Sequence, residues 1–186
     1  MNTQSIDTTQ MELFLRRLGE CYRRPGQVYL VGGSSLILVG GKESTLDIDL
    51  QFTVDPADHG DFIRCLRQVS RELNLAVEQA SPEQFIPLPA GYQERSQFIG
   101  RYAALDVFHF DFYSLALSKL YRGNQKDYTD VLAMVRRQII SFARLEGYYQ
   151  EILPRLETFS AHAQPEAFIR KFNRFTQLLR DEGLIG

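Results

Sequence analysis

Tryptophan is absent from these 186 residues, and cysteine occurs only at Cys21 and Cys65. With no Cys-x-x-Cys spacing and no Cys/His cluster, the two are expected to be free structural thiols of a reducing cytoplasm rather than a disulfide. Histidine is scarce too, and His59, His109 and His162 do not cluster; His109 reads as a strand residue rather than a ligand. No apolar run approaches the roughly 20 residues needed to span a bilayer. The opening residues MNTQSIDTTQ hold neither a basic leader nor an apolar stretch, so no signal peptide is expected, no membrane partner, and a cytoplasmic location. A strong excess of one charge is also missing: the net value of −2 excludes a protein that coats nucleic acid by bulk electrostatics.

What is present suits an ordinary globular core, with 44% hydrophobic and 24% charged residues and an aromatic set of thirteen Phe and nine Tyr. The charge is uneven. Residues 1–114 carry ten Lys and Arg against fifteen Asp and Glu, and residues 115–186 carry eleven against eight. The expected organisation follows the same division: an α/β core over 1–114 and a helical C-terminal part over 115–186, the two together forming one compact unit.

Met11, Phe14, Leu15, Leu18 and Tyr22 recur at helical spacing, and Pro25-Gly26 ends that helix. Gln27–Val31 reads as a strand, Leu36–Val39 as the first turns of a helix, and Leu46–Val54 as a strand alternating without a break. Its apolar face is Leu46, Ile48, Leu50, Phe52 and Val54; its polar face is Asp47, Asp49, Gln51 and Thr53. A helix through Phe62, Ile63, Leu66, Val69 and Leu73 and a strand over Leu75–Glu78 come next. A proline-rich loop over Ser81–Ser96 and a long strand or hairpin over Phe98–Phe110 complete the α/β part. Helices are expected over 112–122, 127–140, 142–157 and 166–181. The fold class is therefore α+β, a mixed sheet flanked by helices with an all-α C-terminal part.

Two short pieces carry the chemistry. Val31-Gly32-Gly33-Ser34-Ser35 is a strand ending in two glycines and entering a helix. Glycine lets a backbone approach a ligand closely, and the free N–H groups of a helix start with a serine hydroxyl suit a phosphate. A plain tight turn with a serine cap fits the same residues. In Leu46-Asp47-Ile48-Asp49-Leu50 the two carboxylates lie at i and i+2, on one face of a strand. So close, they repel each other and cost stability unless a cation lies between them, and Mg²⁺ or Mn²⁺ takes such hard oxygen ligands. Asp is a poor strand former, and no Lys or Arg within LDIDL compensates the pair.

Gly-Gly-Ser, a gap filled by residues 35–46, and then apolar-Asp-apolar-Asp-apolar is similar to the signature of the polymerase-beta-like nucleotidyltransferase superfamily. Lys42-Glu43-Ser44-Thr45 resembles the approach to that motif. Phe108 to Leu120, then Arg122-Gly123 and Lys126-Asp127-Tyr128-Thr129-Asp130-Val131, resembles the second half of its abortive-infection (AbiEii-like) branch, which includes toxins of toxin–antitoxin pairs. The resemblance covers roughly residues 28–135. It implies an NTP as substrate, with Asp47 and Asp49 as catalytic and Mg²⁺- or Mn²⁺-binding residues. Gly32, Gly33, Ser34 and Ser35 would anchor phosphates, and Lys119, Arg122 and Lys126 would supply cations to the triphosphate. A third carboxylate is implied as well: Asp106, mid-strand between Leu105 and Val107, is preferred over Asp111, which a helix N-cap explains. Asp127 and Asp130 have cap and first-turn spacing for a helix starting near Tyr128.

The reading is a metal-dependent transfer of NMP from an NTP to a hydroxyl. The toxin-like resemblance favours an RNA or tRNA 3′ end as acceptor and implies a cognate antitoxin as partner. A protein hydroxyl or a small molecule such as an aminoglycoside remains open. So does a non-catalytic nucleotide- or partner-binding module that retains the fold.

Overall fold

The computed structural model describes residues 5–186; residues 1–4, on which the expectation about a signal peptide partly rests, lie outside the described residues. The chain divides into two units, one running up to Ser81 and resuming at Ser96–Phe110, the other made of Pro82–Arg95 and Asp111–Gly186. The proline-rich segment groups with the C-terminal helices.

The first unit begins with α1, Thr8–Tyr22. Asp7 caps it by accepting from the Gln10 amide at 2.9 Å, while its own N–H donates to the Gln10 side chain at 3.1 Å, so two backbone donors that a helix start leaves open are satisfied. The α-helices and strands that follow are β1 (Gly26–Leu30), α2 (Gly32–Leu38), β2 (Asp47–Val54), α3 (His59–Leu73), β3 (Ala76–Gln79), β4 (Gln97–Tyr102) and β5 (Leu105–His109). They make a five-stranded sheet in the order β3-β2-β1-β5-β4. β1 runs antiparallel to β2 and parallel to β5, β2 runs parallel to β3, and β4 runs antiparallel to β5. The long strand over Phe98–Phe110 is therefore a hairpin.

Met11, Phe14, Leu15 and Leu18 of α1 and Phe62, Leu66 and Val69 of α3 form one core with Val28, Leu30, Ile48, Leu50 and Val107 of the strands. Period-two alternation then turns Asp47, Asp49, Gln51, Tyr29, Asp106 and Phe108 to the opposite face. Leu46, expected to open the apolar face of β2, is 54% exposed, because the strand starts only at Asp47.

Cys21 of α1 and Cys65 of α3 form a disulfide, with Cα atoms 5.7 Å apart, and no cysteine is free. This corrects the expectation of two thiols. Packing α1 against α3 brings together two positions that sequence distance alone keeps 44 residues apart. A crosslink closing a loop of that length removes unfolded-state entropy worth about 2–4 kcal/mol. Cys21→Ser or a reducing agent should lower the melting temperature accordingly; a reductant that leaves thermal unfolding of the oxidised protein unmoved would exclude the crosslink as a stabiliser.

The second unit holds α4 (Tyr92–Arg95), α5 (Phe112–Arg122), α6 (Gln125–Arg136), α7 (Phe142–Phe159) and α8 (Pro165–Asp181). Phe168, Phe172 and Phe175 of α8 are buried, and Tyr149 of α7 stacks on Phe172 with centroids 3.8 Å apart. α6 starts earlier than expected: Asn124 is its N-cap, accepting from the Asp127 amide at 2.9 Å, so Asp127 lies in the first turn instead of at the cap. No helix among the described residues is long and apolar enough to cross a membrane.

Candidate metal and nucleotide site

β2 and β3 run side by side in parallel, and their register sets Asp49 opposite Glu78. Asp47 lies two residues along the same strand and shares their face. Ligand atoms of Asp47, Asp49 and Glu78 all fall within 4.8 Å of one another. Three hard carboxylates at this spacing suit a divalent ion such as Mg²⁺ or Mn²⁺, with remaining positions for water and phosphate oxygens. Asp47 and Asp49 are partly buried and Glu78 is exposed, so the cluster is open on one side.

The Gly32–Ser35 turn is built around this pair. Gly32 has φ +57°, and a Cβ there would come within 2.5 Å of Asp49 Oδ2. A Cβ on Gly33 would meet Thr45 Oγ1 at 2.4 Å. Both glycines therefore leave room for side chains of the β2 approach. Ser34 is fully buried; its Oγ accepts from the Asp49 amide at 2.8 Å and donates to the Asp47 carbonyl at 3.4 Å. The serine thus holds the backbone from which both carboxylates project.

Ser35, also fully buried, shares a 2.7 Å hydrogen bond with His109 Nδ1 and so ties α2 to β5. Burial lowers the His109 imidazole from its ordinary 6.5 to about 4. A base with a lowered folded-state value keeps its full contribution above the unfolded value near 6.5 and loses it as pH falls towards 4. Between those limits the wild type should lose about 2–3 kcal/mol more stability than His109→Gln does, measured by urea unfolding at several pH values. Parallel losses would show that His109 titrates normally.

Asp106 does not join the carboxylates. It pairs in register with Gln27, and Gln27 with Thr53, so it shares their face but lies four residues down the sheet from Asp49, about 13 Å along the strands. Arg101 grips it with two bonds, 2.6 and 2.9 Å, and holds its carboxyl below the usual range. Asp111, in the second unit, is 1% exposed and caps α5, accepting from the amides of Tyr113 and Ser114 and from Nε and Nη2 of Arg95.

Lys119 lies in the second unit as well, 4% exposed, with its ammonium 2.7 Å from Asp130 and 3.7 Å from Asp127. Arg122 donates to Asp127 at 2.7 Å with its side chain 40% exposed, and Lys126 is exposed. The expected triphosphate cations thus differ: Lys119 is engaged inside a buried ion cluster, while the other two reach solvent.

Glu78 is the residue that sequence reasoning missed. Its signal is the strand after α3: a β-α-β connection returns it parallel to β2, and period two puts Glu78 on the face of Asp49. Residues 8–180 match the family described as nucleotidyltransferase of unknown function (DUF6036). No curated protein and no solved structure matches the chain.

Proposed function

Because the chain belongs to this nucleotidyltransferase family of unknown function, we propose that it moves a nucleoside monophosphate from an NTP to a hydroxyl acceptor in a divalent-metal-dependent reaction. The observation that carries the reading is the convergence of Asp47, Asp49 and Glu78 within 4.8 Å. These three would hold Mg²⁺ or Mn²⁺, which when bound supplies charge stabilisation to the phosphates. The acceptor oxygen attacks the α-phosphorus, the bond to the pyrophosphate oxygen breaks, and pyrophosphate leaves with its electron pair. A carboxylate of the cluster takes the proton of the attacking hydroxyl. Gly32, Gly33 and Ser34 serve by fixing the carboxylates, so the acceleration comes from positioning together with charge stabilisation. The AbiEii-like pattern of residues 108–131 favours an RNA 3′ end as acceptor and a cognate antitoxin as partner.

The test is incubation with each α-labelled NTP, Mg²⁺ and total cell RNA or lysate. Label should pass to a macromolecule with one or more NTPs and stop when the metal is chelated. NTP binding without transfer to any acceptor would leave a nucleotide-binding module; no metal-dependent NTP binding at all would overturn the reading.

A further inference from the structure

Gln51, Tyr29, Phe108 and Phe98 lie in one register row across four adjacent strands, since Tyr29 pairs with Gln51 and with Phe108, and Phe108 with Phe98. The row is on the carboxylate face, two residues along β2 from Asp49. Its rings form a continuous series: Tyr29 stacks on Phe108 with centroids 5.2 Å apart and planes 20° off parallel, and Phe98 meets Phe108 edge-on at 5.4 Å. Phe98 is 58% exposed on β4, an edge strand of the sheet. An exposed aromatic on a sheet edge is a liability for aggregation, and a row of aromatics leading away from a cluster of acids calls for an occupant.

We propose that this row is a stacking surface for the bases of a single-stranded polynucleotide whose 3′ end is the acceptor; the assignment rests on the nucleotidyl-transfer reading of the carboxylate site. Every base presents a π-face, so aromatic rings bind a strand without demanding a sequence. The row spans three strand spacings, about 14 Å from β2 to β4, too long for the base of one nucleotide but suited to successive bases leading up to the carboxylates. Charge permits it: the next row down holds Asp106 and Arg101 as a two-bond pair, so that part of the face carries no net charge. Negative charge is left at the trio, where a bound cation would offset it. The Gln51 side-chain oxygen is buried with no hydrogen-bond partner among the described residues, and a turn of its amide towards the open face would offer the strand an acceptor. A base amine or a ribose hydroxyl of the last nucleotides would satisfy it.

The test is fluorescence anisotropy with short labelled oligonucleotides of one sequence, as RNA, as DNA and with abasic positions, on the full chain. Phe98→Ala should weaken binding of the intact strand by about five- to one-hundredfold and leave the abasic strand unaffected, while Phe98→Trp should bind like wild type. The thermal shift produced by NTP with Mg²⁺ should be the same in Phe98→Ala as in wild type. Wild type that binds no oligonucleotide, or Phe98→Ala that binds as wild type, overturns the proposal. So does a Phe98→Ala protein that loses the NTP response in place of strand binding. Binding of the strand by Asp47→Asn/Asp49→Asn, in a protein that fails every transfer assay, would keep the row's assignment apart from that of the carboxylates.

Discussion

Asp47→Asn combined with Asp49→Asn will reduce nucleotidyl transfer by on the order of a thousandfold or more, the scale of losing several kcal/mol of charge stabilisation. It will also abolish the rise in melting temperature that Mg²⁺ with NTP gives wild type. The apo protein should stay folded, and relief of repulsion within the 4.8 Å cluster should leave its stability equal or higher. Glu78→Gln should show the same signature to a smaller degree, since Glu78 is the exposed member of the three. A route that spares the carboxylates themselves is Gly32→Ala. Its Cβ would need the space of Asp49 Oδ2, at a positive φ that disfavours a side chain, so Asp49 must swing away and the metal response should fall. A double Asn variant that answers metal and NTP like wild type would place the metal elsewhere.

The second large effect is structural. Lys119→Ala should cost about 3–5 kcal/mol in urea unfolding, the range for removing one partner of a buried ion pair. The ammonium lies 2.7 Å from Asp130 and 3.7 Å from Asp127, with all three side chains no more than 7% exposed. Arg122 donates to Asp127 at 2.7 Å as well, so that carboxylate keeps a cation after the change. Lys119→Met with Asp130→Leu, which removes charge from both sides, should recover much of the loss. A Lys119→Ala protein within 1 kcal/mol of wild type would mean that water reaches the cluster and that Lys119 is available to a phosphate after all.

The sequence shows the Asp47/Asp49 pair at once because it is local: alternation within five residues decides which face both carboxylates share. The helices were legible for the same reason, each carrying its own apolar stripe. Glu78 was not, because its membership depends on which strand β3 pairs with and in what register. Asp106 illustrates the converse. Its apolar-Asp-apolar setting gives its face correctly, but the end of the sheet it occupies depends on β5 being parallel to β1 while β2 is antiparallel. Ser34 and Ser35 read as ligand-facing hydroxyls, yet β2 and His109 use them first. The disulfide escaped because residues on two helices meet only once both pack on the sheet. For Lys119 a clue was present, since an ammonium set in an otherwise apolar helix needs buried counter-charges, and Asp127 and Asp130 follow within eleven residues.

The central position of β1 has a consequence for synthesis. Its antiparallel partner follows soon after it, but its parallel partner does not: Gly26 pairs with Leu105 and Leu30 with His109. A ribosome adding about 5–20 residues per second needs about 4–16 seconds to bring the second partner out. Throughout that interval one side of β1 is an open edge, with apolar Val28 and Leu30 facing a core that is still incomplete. The nascent chain is therefore most vulnerable to pairing with another copy of itself in mid-translation, and slowing elongation between β2 and β5 should lower the soluble yield more than slowing it anywhere after β5.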